Sequence, residues 1–122
     1  MRIIVVEPQM KSAIRHINGS LASMQNVVGG TVQAMYPYDD AVALVANDEG
    51  KVLGLPMNRA LRDDDGAVYD IVHGTFFICG LSEDSFTSLT DEQLQRFMRI
   101  YATPELFLRM NNQLVILPML DQ

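Results

Sequence analysis

The sequence has one cysteine, two histidines and no long apolar run, and each scarcity disfavours a class of protein. A single thiol, Cys79, cannot form an intrachain disulfide, so a secreted scaffold is not expected and a reducing cytoplasm is the predicted compartment. Cys79, His16 and His73 also fall short of the paired ligands of a structural zinc site. No segment approaches the ~20 apolar residues that span a bilayer, so neither export nor contact with a membrane is expected.

Basic residues are also scarce, with 9 Lys and Arg against 15 Asp and Glu and a net charge of −6. Such a chain repels a phosphate backbone, so no direct binding of nucleic acid is expected. The nucleophile elbow, the phosphate-binding loop and the dinucleotide fingerprint are missing too. We therefore expect no enzyme, no cofactor and no metal. The acidic run at residues 63–66 is interpreted as a solvated turn, because a calcium loop with Gly66 sixth would begin at Leu61, which lacks a side-chain oxygen.

The hydrophobic content of 48% in 122 residues is enough for one domain with its own core, residues 1–122. Runs of β-branched or alternating apolar residues predict strands near residues 3–6, 13–17, 31–36, 67–72 and 75–81, the last two central in the sheet. Two further runs, 42–46 and 51–55, flank the polar residues 47–50 and predict a β-hairpin. Residues 56–62 fit a helical turn or an irregular loop equally well. Cys79 lies among apolar neighbours and is expected to be a buried, inert thiol.

Two main helices are predicted to cover this sheet. Ser20 can cap the first, over residues 20–28, and residues 90–93 match a capping box for the second, over residues 91–101. Pro104 is typical of a first helical position, which predicts a third helix ending at residues 111–112 and then a strand at 113–117. The predicted fold is therefore α+β, a mostly antiparallel sheet with a hairpin, two covering helices and a C-terminal helix-strand extension.

Residues 1–98 resemble a family of small uncharacterised proteins, a domain of unknown function, associated with conjugative elements and phages of Gram-positive bacteria. The strings that carry the resemblance are residues 3–8, 19–21, 28–30, 54–61, 69–78 and 86–90. The resemblance implies an accessory role in a mobile element and brings no catalytic residue or cofactor. It also divides the domain into a family-like core, residues 1–100, and a C-terminal extension, residues 101–122.

One polar group of residues is the candidate site. Two arginines three residues apart can hold an anion, while neighbouring polar side chains can read the edges of a nucleotide-like ligand. The alternative is structural: the arginines pair with the acidic turn at 63–65, and the amide and hydroxyl groups satisfy backbone atoms. The predicted ligand-binding residues are Asn58, Arg59, Arg62, Asp70, His73 and Thr75.

Three functions stay open. The first is a non-enzymatic binding protein of a mobile element or phage that counteracts host defence by sequestering a nucleotide-like signal or a host protein. The second is an acidic DNA mimic that inhibits a nuclease or restriction factor, based on the charge of −6. The third is a small nucleotide-acting enzyme with His73 as its base. A homo-oligomer is compatible with each, and the C-terminal extension is a candidate contact for it.

Overall fold

The computed structural model describes residues 1–120, which form two helices and ten strands. In chain order these are β1 (Arg2–Val6), β2 (Ala13–His16), α1 (Leu21–Val28), β3 (Val32–Met35), β4 (Val42–Asn47), β5 (Met57–Arg62), β6 (Val68–His73), β7 (Phe76–Leu81), β8 (Phe86–Thr87), α2 (Asp91–Ile100), β9 (Glu105–Met110) and β10 (Gln113–Pro118). Within residues 1–120, no helix has the length and apolar character needed to cross a bilayer.

The main sheet has the order β2-β1-β7-β4-β3, with every pair antiparallel and β8 joined to β7. Ile78 of β7 lies opposite Ile4 on one side and Leu44 on the other. The strand pairs β5-β6 and β9-β10 form two separate small sheets. The predicted α+β class with a mostly antiparallel sheet is therefore confirmed.

Each face of the main sheet has its own core and its own helix. Successive residues of a strand point to opposite faces, so the continuous apolar runs of β1, β4 and β7 are buried on both. Leu94 and Phe97 of α2 pack with one face, and Met24 and Val28 of α1 pack with the other. Cys79 is fully buried on the α1 face, and burial raises the pKa of its thiol to about 12.

The two predicted main helices are confirmed, together with their caps. Ser20 accepts a hydrogen bond from the backbone N–H of Ser23, and Gly29 ends α1 in the left-handed region at φ 76°. Thr90 and Gln93 form the reciprocal capping box at the start of α2. These local signals determine where the helices begin because capping satisfies N–H groups that have no partner within the helix.

The predicted hairpin around residues 47–50 is wrong. Strand β4 lies between β3 and β7, so both of its edges are already paired. The second apolar run is a compact turn instead, in which the N–H of Leu53 donates to the carbonyl of Glu49 at 2.8 Å. Val52 is 86% exposed there. The run at 51–55 therefore cannot pair with β4, the partner that the hairpin prediction required.

Residues 57–62, which the sequence left between a helical turn and a loop, form strand β5. Its partner is β6, and the acidic turn between them closes with a 2.9 Å hydrogen bond from the N–H of Gly66 to the carbonyl of Asp63. The predicted turn at 63–66 is thus confirmed.

Strand β7 holds a central place in the main sheet, as predicted. Strand β6 belongs to the small β5-β6 sheet instead, so its predicted central place is wrong. Gly74, at φ 82°, makes the bend between the two strands.

The predicted C-terminal helix is also wrong. Residues 105–110 form strand β9, which pairs with β10 in register from Met110 opposite Gln113 to Glu105 opposite Pro118. Asn111 and Asn112 have φ of 52° and 64°, the positive values that two-residue hairpin turns require. The two asparagines therefore make a hairpin rather than end a helix, and the helix-start signal at Pro104 is overridden by strand pairing.

Candidate functional site

A cavity of about 520 Å³ lies where β5, the end of α2 and the C-terminal hairpin meet. Its walls hold charged, aromatic and aliphatic side chains from segments distant in the sequence. The lining residues are Pro37, Tyr38, Arg59, Ala60, Leu61, Arg62, Tyr69, Ile100, Tyr101, Thr103, Glu105, Ile116, Pro118 and Leu120. A volume of this size is typical of small-molecule sites.

Asn58, at the start of β5, is fully buried and forms hydrogen bonds with three parts of the chain. Its Nδ2 donates to the carbonyl oxygens of Val6 and Gly74, both at 2.8 Å. Its Oδ1 accepts a 2.9 Å hydrogen bond from Arg59. The side-chain amide therefore joins the end of β1, the bend before β7 and the β5-β6 sheet, and its complete burial keeps it out of the cavity lining.

Arg59 is 2% exposed and donates mainly to backbone carbonyls. One terminal nitrogen donates to Asn58, and the other donates to the carbonyl of Met10 at 2.7 Å and of Tyr101 at 3.3 Å. Tyr101 is the C-cap of α2, where a helix favours positive charge. Burial lowers the pKa of Arg59, and the charge of Glu105 acts in the opposite direction. Its Nε is the one fully buried side-chain polar atom within residues 1–120 that lacks a hydrogen-bond partner.

Glu105 is the functional candidate that sequence reasoning missed. It is 9% exposed, accepts the backbone N–H of Ala60 at 2.9 Å, and pairs with Arg62 at 2.7 Å. The Arg62 side chain remains 43% exposed. Neither the predicted pairing of Arg62 with the acidic turn nor any local pattern indicated Glu105, because the two residues are 43 positions apart in the sequence.

Three tyrosines supply the aromatic part of the cavity lining. The hydroxyl groups of Tyr38 and Tyr101 share a hydrogen bond, and burial raises the pKa of both phenols. Both rings are held edge-on, with Tyr38 centred 4.8 Å from Phe97 and Tyr101 centred 5.3 Å from Phe76. Tyr69, on β6, is 56% exposed. Tyr101 is therefore buried and Tyr38 partly buried against the core, while Tyr69 and Arg62 reach solvent.

The other predicted site residues lie elsewhere. Asp70 and His73 line a second cavity of about 340 Å³, where Asp70 pairs with Lys51. The Nδ1 of His73 lies 2.9 Å from the carbonyl oxygen of Leu55. Thr75 is half-buried between β6 and β7 and lines neither cavity. The structure thus places Arg59 and Arg62 around one cavity, with Asn58 beneath them, and it separates Asp70, His73 and Thr75 from them.

The Asp70–Lys51 pair predicts a measurable pKa change. Burial acts to raise the pKa of Asp70, but hydrogen bonds from Lys51 and the N–H of Ile71 outweigh it and leave the pKa lowered. A carboxyl group whose pKa is lower in the folded than in the unfolded state stabilises the fold when the pH is above the unfolded-state pKa of about 4. This stabilisation is lost as the pH falls through the folded-state pKa. We expect Lys51→Met to raise the pKa of Asp70, measured by NMR titration of its carboxyl carbon. Arg15→Met, which removes a cation paired with Glu7, is the control. An equal change in the pKa of Asp70 in both variants would contradict the conclusion that Lys51 lowers it.

Comparison with known proteins places the chain in a family. The model of a family described as a domain of unknown function, DUF3846, matches residues 1–102. The chain belongs to this family. The match covers the main sheet, both helices and the β5-β6 sheet, whereas β9 and β10 lie beyond its end. No curated protein and no solved structure matches the chain. Because Thr103, Glu105, Ile116, Pro118 and Leu120 line the first cavity, its wall combines the family domain with the C-terminal hairpin.

Proposed function

We propose that this DUF3846 protein is a non-enzymatic binding protein that takes a small, nucleotide-like anion into the cavity of about 520 Å³. The observation that carries the proposal is the charge of the lining. The charged lining residues are two arginines, Arg59 and Arg62, and one glutamate, Glu105, so positive charge is in excess around the cavity of a chain of net charge −6. In such a chain, local positive charge of this kind is what an anion requires.

The arrangement assigns different tasks to the lining residues. Arg62 is partly exposed and pairs with Glu105 through one terminal nitrogen, and the other nitrogens of its planar guanidinium group suit a phosphate or carboxylate group. Tyr69, also partly exposed, offers a ring on which a base can stack. Arg59 contributes positive charge from beneath the cavity, because its terminal nitrogens are already bound to the protein. The anion contact is therefore assigned to Arg62 rather than to Arg59.

The proposed biological setting is a conjugative element or phage of Gram-positive bacteria, where the protein would withhold a nucleotide-like signal from host defence. This setting is supported by the resemblance of the family strings, and the ligand class by the cavity's charge and aromatic lining. The non-enzymatic role is supported by the missing catalytic motifs. Mass spectrometry of a nucleotide recovered after long incubation distinguishes binding from turnover: a chemically altered nucleotide would favour an enzyme acting through His73.

Binding should depend on Arg62. We expect Arg62→Ala to weaken the affinity for the best-bound member of a panel of linear and cyclic nucleotides by about tenfold or more, since one charge-assisted contact is worth about 1.5–3 kcal/mol. Isothermal titration calorimetry measures this. The matched control is Arg15→Ala, because Arg15 also holds a carboxylate, Glu7 at 3.0 Å, and its side chain is 50% exposed against 43% for Arg62.

Two results would refute the proposal. The first is that no nucleotide of the panel binds the wild-type chain, and the second is that both arginine variants bind equally well. The unfolding midpoints of the two variants must be compared at the same time. Similar midpoints ensure that a lost affinity reports on the cavity rather than on the fold.

A further inference from the structure

The Glu105 carboxylate uses only part of its capacity to accept hydrogen bonds. A carboxylate has about four lone-pair sites on its two oxygens. Among residues 1–120, one oxygen accepts the N–H of Ala60 at 2.9 Å, and the other accepts Arg62 at 2.7 Å. The side chain is 11% exposed and lines the first cavity, so little water reaches the remaining sites. A buried carboxylate of this kind favours further donors, which a molecule in the cavity can supply.

The position of Glu105 determines which part of a nucleotide it meets. Its carboxylate is bound to Arg62, the residue to which the phosphate contact is assigned. In a nucleotide the sugar is attached to the phosphate, and the base lies beyond the sugar. The donors closest to a phosphate held by Arg62 are therefore the ribose hydroxyls. Acidic side chains accept hydrogen bonds from ribose hydroxyls in dinucleotide-binding folds as well.

The register of β5 and β6 places an aromatic ring beside Arg62. Arg62 lies opposite Val68, and the residue before it lies opposite Asp70. Tyr69 is therefore the extra residue of a β-bulge, a feature that redirects a side chain. Tyr69 and Arg62 both line the cavity. The phosphate, the sugar and the base of one nucleotide thus have neighbouring contacts in Arg62, Glu105 and Tyr69.

The charge of the lining favours a ligand with a single phosphate group. Arg59 is buried with its terminal nitrogens bound to the protein, and Arg62 already pairs with Glu105. The part of the lining formed by residues 1–120 contains no third cation. Further phosphates would therefore add negative charge near Glu105 without a cation to neutralise it, and bringing like charges together is unfavourable.

We propose that the ligand of this cavity is a ribonucleoside monophosphate whose ribose hydroxyls donate to Glu105. The inference rests on the proposed function and specifies its ligand class: Arg62 holds the phosphate, Glu105 accepts from the sugar and Tyr69 stacks on the base. Glu105 is the first residue of β9 and lies beyond the residues that the family model matches. Selection of the sugar is therefore assigned to the C-terminal hairpin rather than to the family domain.

Paired nucleotides test the sugar contact in the wild-type chain. Isothermal titration calorimetry compares each common ribonucleoside monophosphate with its dideoxy counterpart, which lacks both ribose hydroxyls, and with its triphosphate. We expect the monophosphate to bind at least about tenfold more tightly than the dideoxy compound, since hydrogen bonds to a charged group are lost. It should also bind at least about tenfold more tightly than the triphosphate, because extra phosphates meet the charge of Glu105.

Glu105→Gln assigns these preferences to one side chain. The variant keeps the size of the side chain and removes its charge. Both preferences should fall by about threefold or more, whatever the change in absolute affinity, since hydrogen bonds to charged groups are roughly twice as strong as neutral ones. Glu7→Gln is the matched control, because Glu7 also pairs with an arginine, Arg15 at 3.0 Å, and does not line the cavity. It should leave both preferences unchanged.

The possible failures distinguish this inference from the proposed function. Equal binding of the ribose and dideoxy compounds, or preferences that persist in Glu105→Gln, would refute the sugar contact and leave an anion site that depends on Arg62. Tighter binding of the triphosphate would refute the single-phosphate ligand in the same way. A wild-type chain that binds none of these nucleotides would refute the proposed function together with this inference. The first comparison needs no variant, so its result does not depend on how a variant folds.

Discussion

Replacing Arg59 with alanine is expected to lower the free energy of unfolding by about 3–5 kcal/mol, the typical cost of removing one member of a buried charged network. Arg59 is 2% exposed, and its loss would leave the carbonyls of Met10 and Tyr101 without their donor. It would also remove a positive charge close to Glu105 and open a void beside Asn58. Chemical denaturation followed by circular dichroism measures the change.

Two control variants separate the causes of this loss. Arg62→Ala should cost about 1 kcal/mol, because the Arg62 side chain is 43% exposed and its ion pair is partly screened. Arg59→Lys keeps the charge but lacks the planar fork that reaches several acceptors, so it should fall between the wild type and Arg59→Ala. An Arg59→Ala protein that unfolds at the same denaturant concentration as the wild type would show that the network contributes nothing.

The Arg59 result also bears on the ligand. Arg59 was expected from the sequence to hold an anion, but its terminal nitrogens hold the chain itself. A loss of binding in Arg59→Ala would therefore be confounded with a loss of folding. For this reason the binding experiment uses Arg62, whose removal leaves the buried network around Asn58 in place.

Asn58→Ala is expected to lower the free energy of unfolding by about 2–4 kcal/mol. The substitution leaves the carbonyls of Val6 and Gly74 without the amide that they now share, and each unsatisfied buried group costs about 1–3 kcal/mol. Arg59 would also lose the side-chain acceptor that it has at 2.9 Å. Urea denaturation reports the change in stability.

Asn26→Ala is the matched control for Asn58→Ala. Asn26 is exposed in α1, where alanine has the higher helix propensity, so stability should stay level or rise slightly. The double variant Asn58→Ala/Arg59→Ala should cost less than the sum of the two single variants, because the two residues share a hydrogen bond. Equal costs for Asn58→Ala and Asn26→Ala, or strict additivity of the double variant, would contradict the network described here.

The candidate site could be predicted from the sequence only in part. The segment around Asn58 and Arg59 was recognised because two arginines, Arg59 and Arg62, lie three residues apart among apolar neighbours in an acidic chain. The partners of that segment were not, since Tyr101 and Glu105 are 42 and 43 positions away from the arginines that they contact. Asp70 was grouped with the arginines because it is near them in the sequence. In the structure it forms an ion pair with Lys51 and lines the second cavity. Which arginine is buried depends on which distant segments fold over it.

The fold, like the site, depends partly on local sequence and partly on contacts between distant segments. The sequence by itself determined what depends on neighbouring residues: the caps of α1 and α2, the acidic turn at 63–66 and the apolar runs of the central strands. Only the tertiary structure decided which apolar runs became strands. Residues 51–55 had the composition of a strand, but β4, their predicted partner, is paired with β3 and β7, whereas residues 105–110 had a helix-start signal and pair with β10. Local hydrogen bonds are encoded within a few residues, but the pairing of strands and the burial of Arg59 depend on contacts across the whole chain.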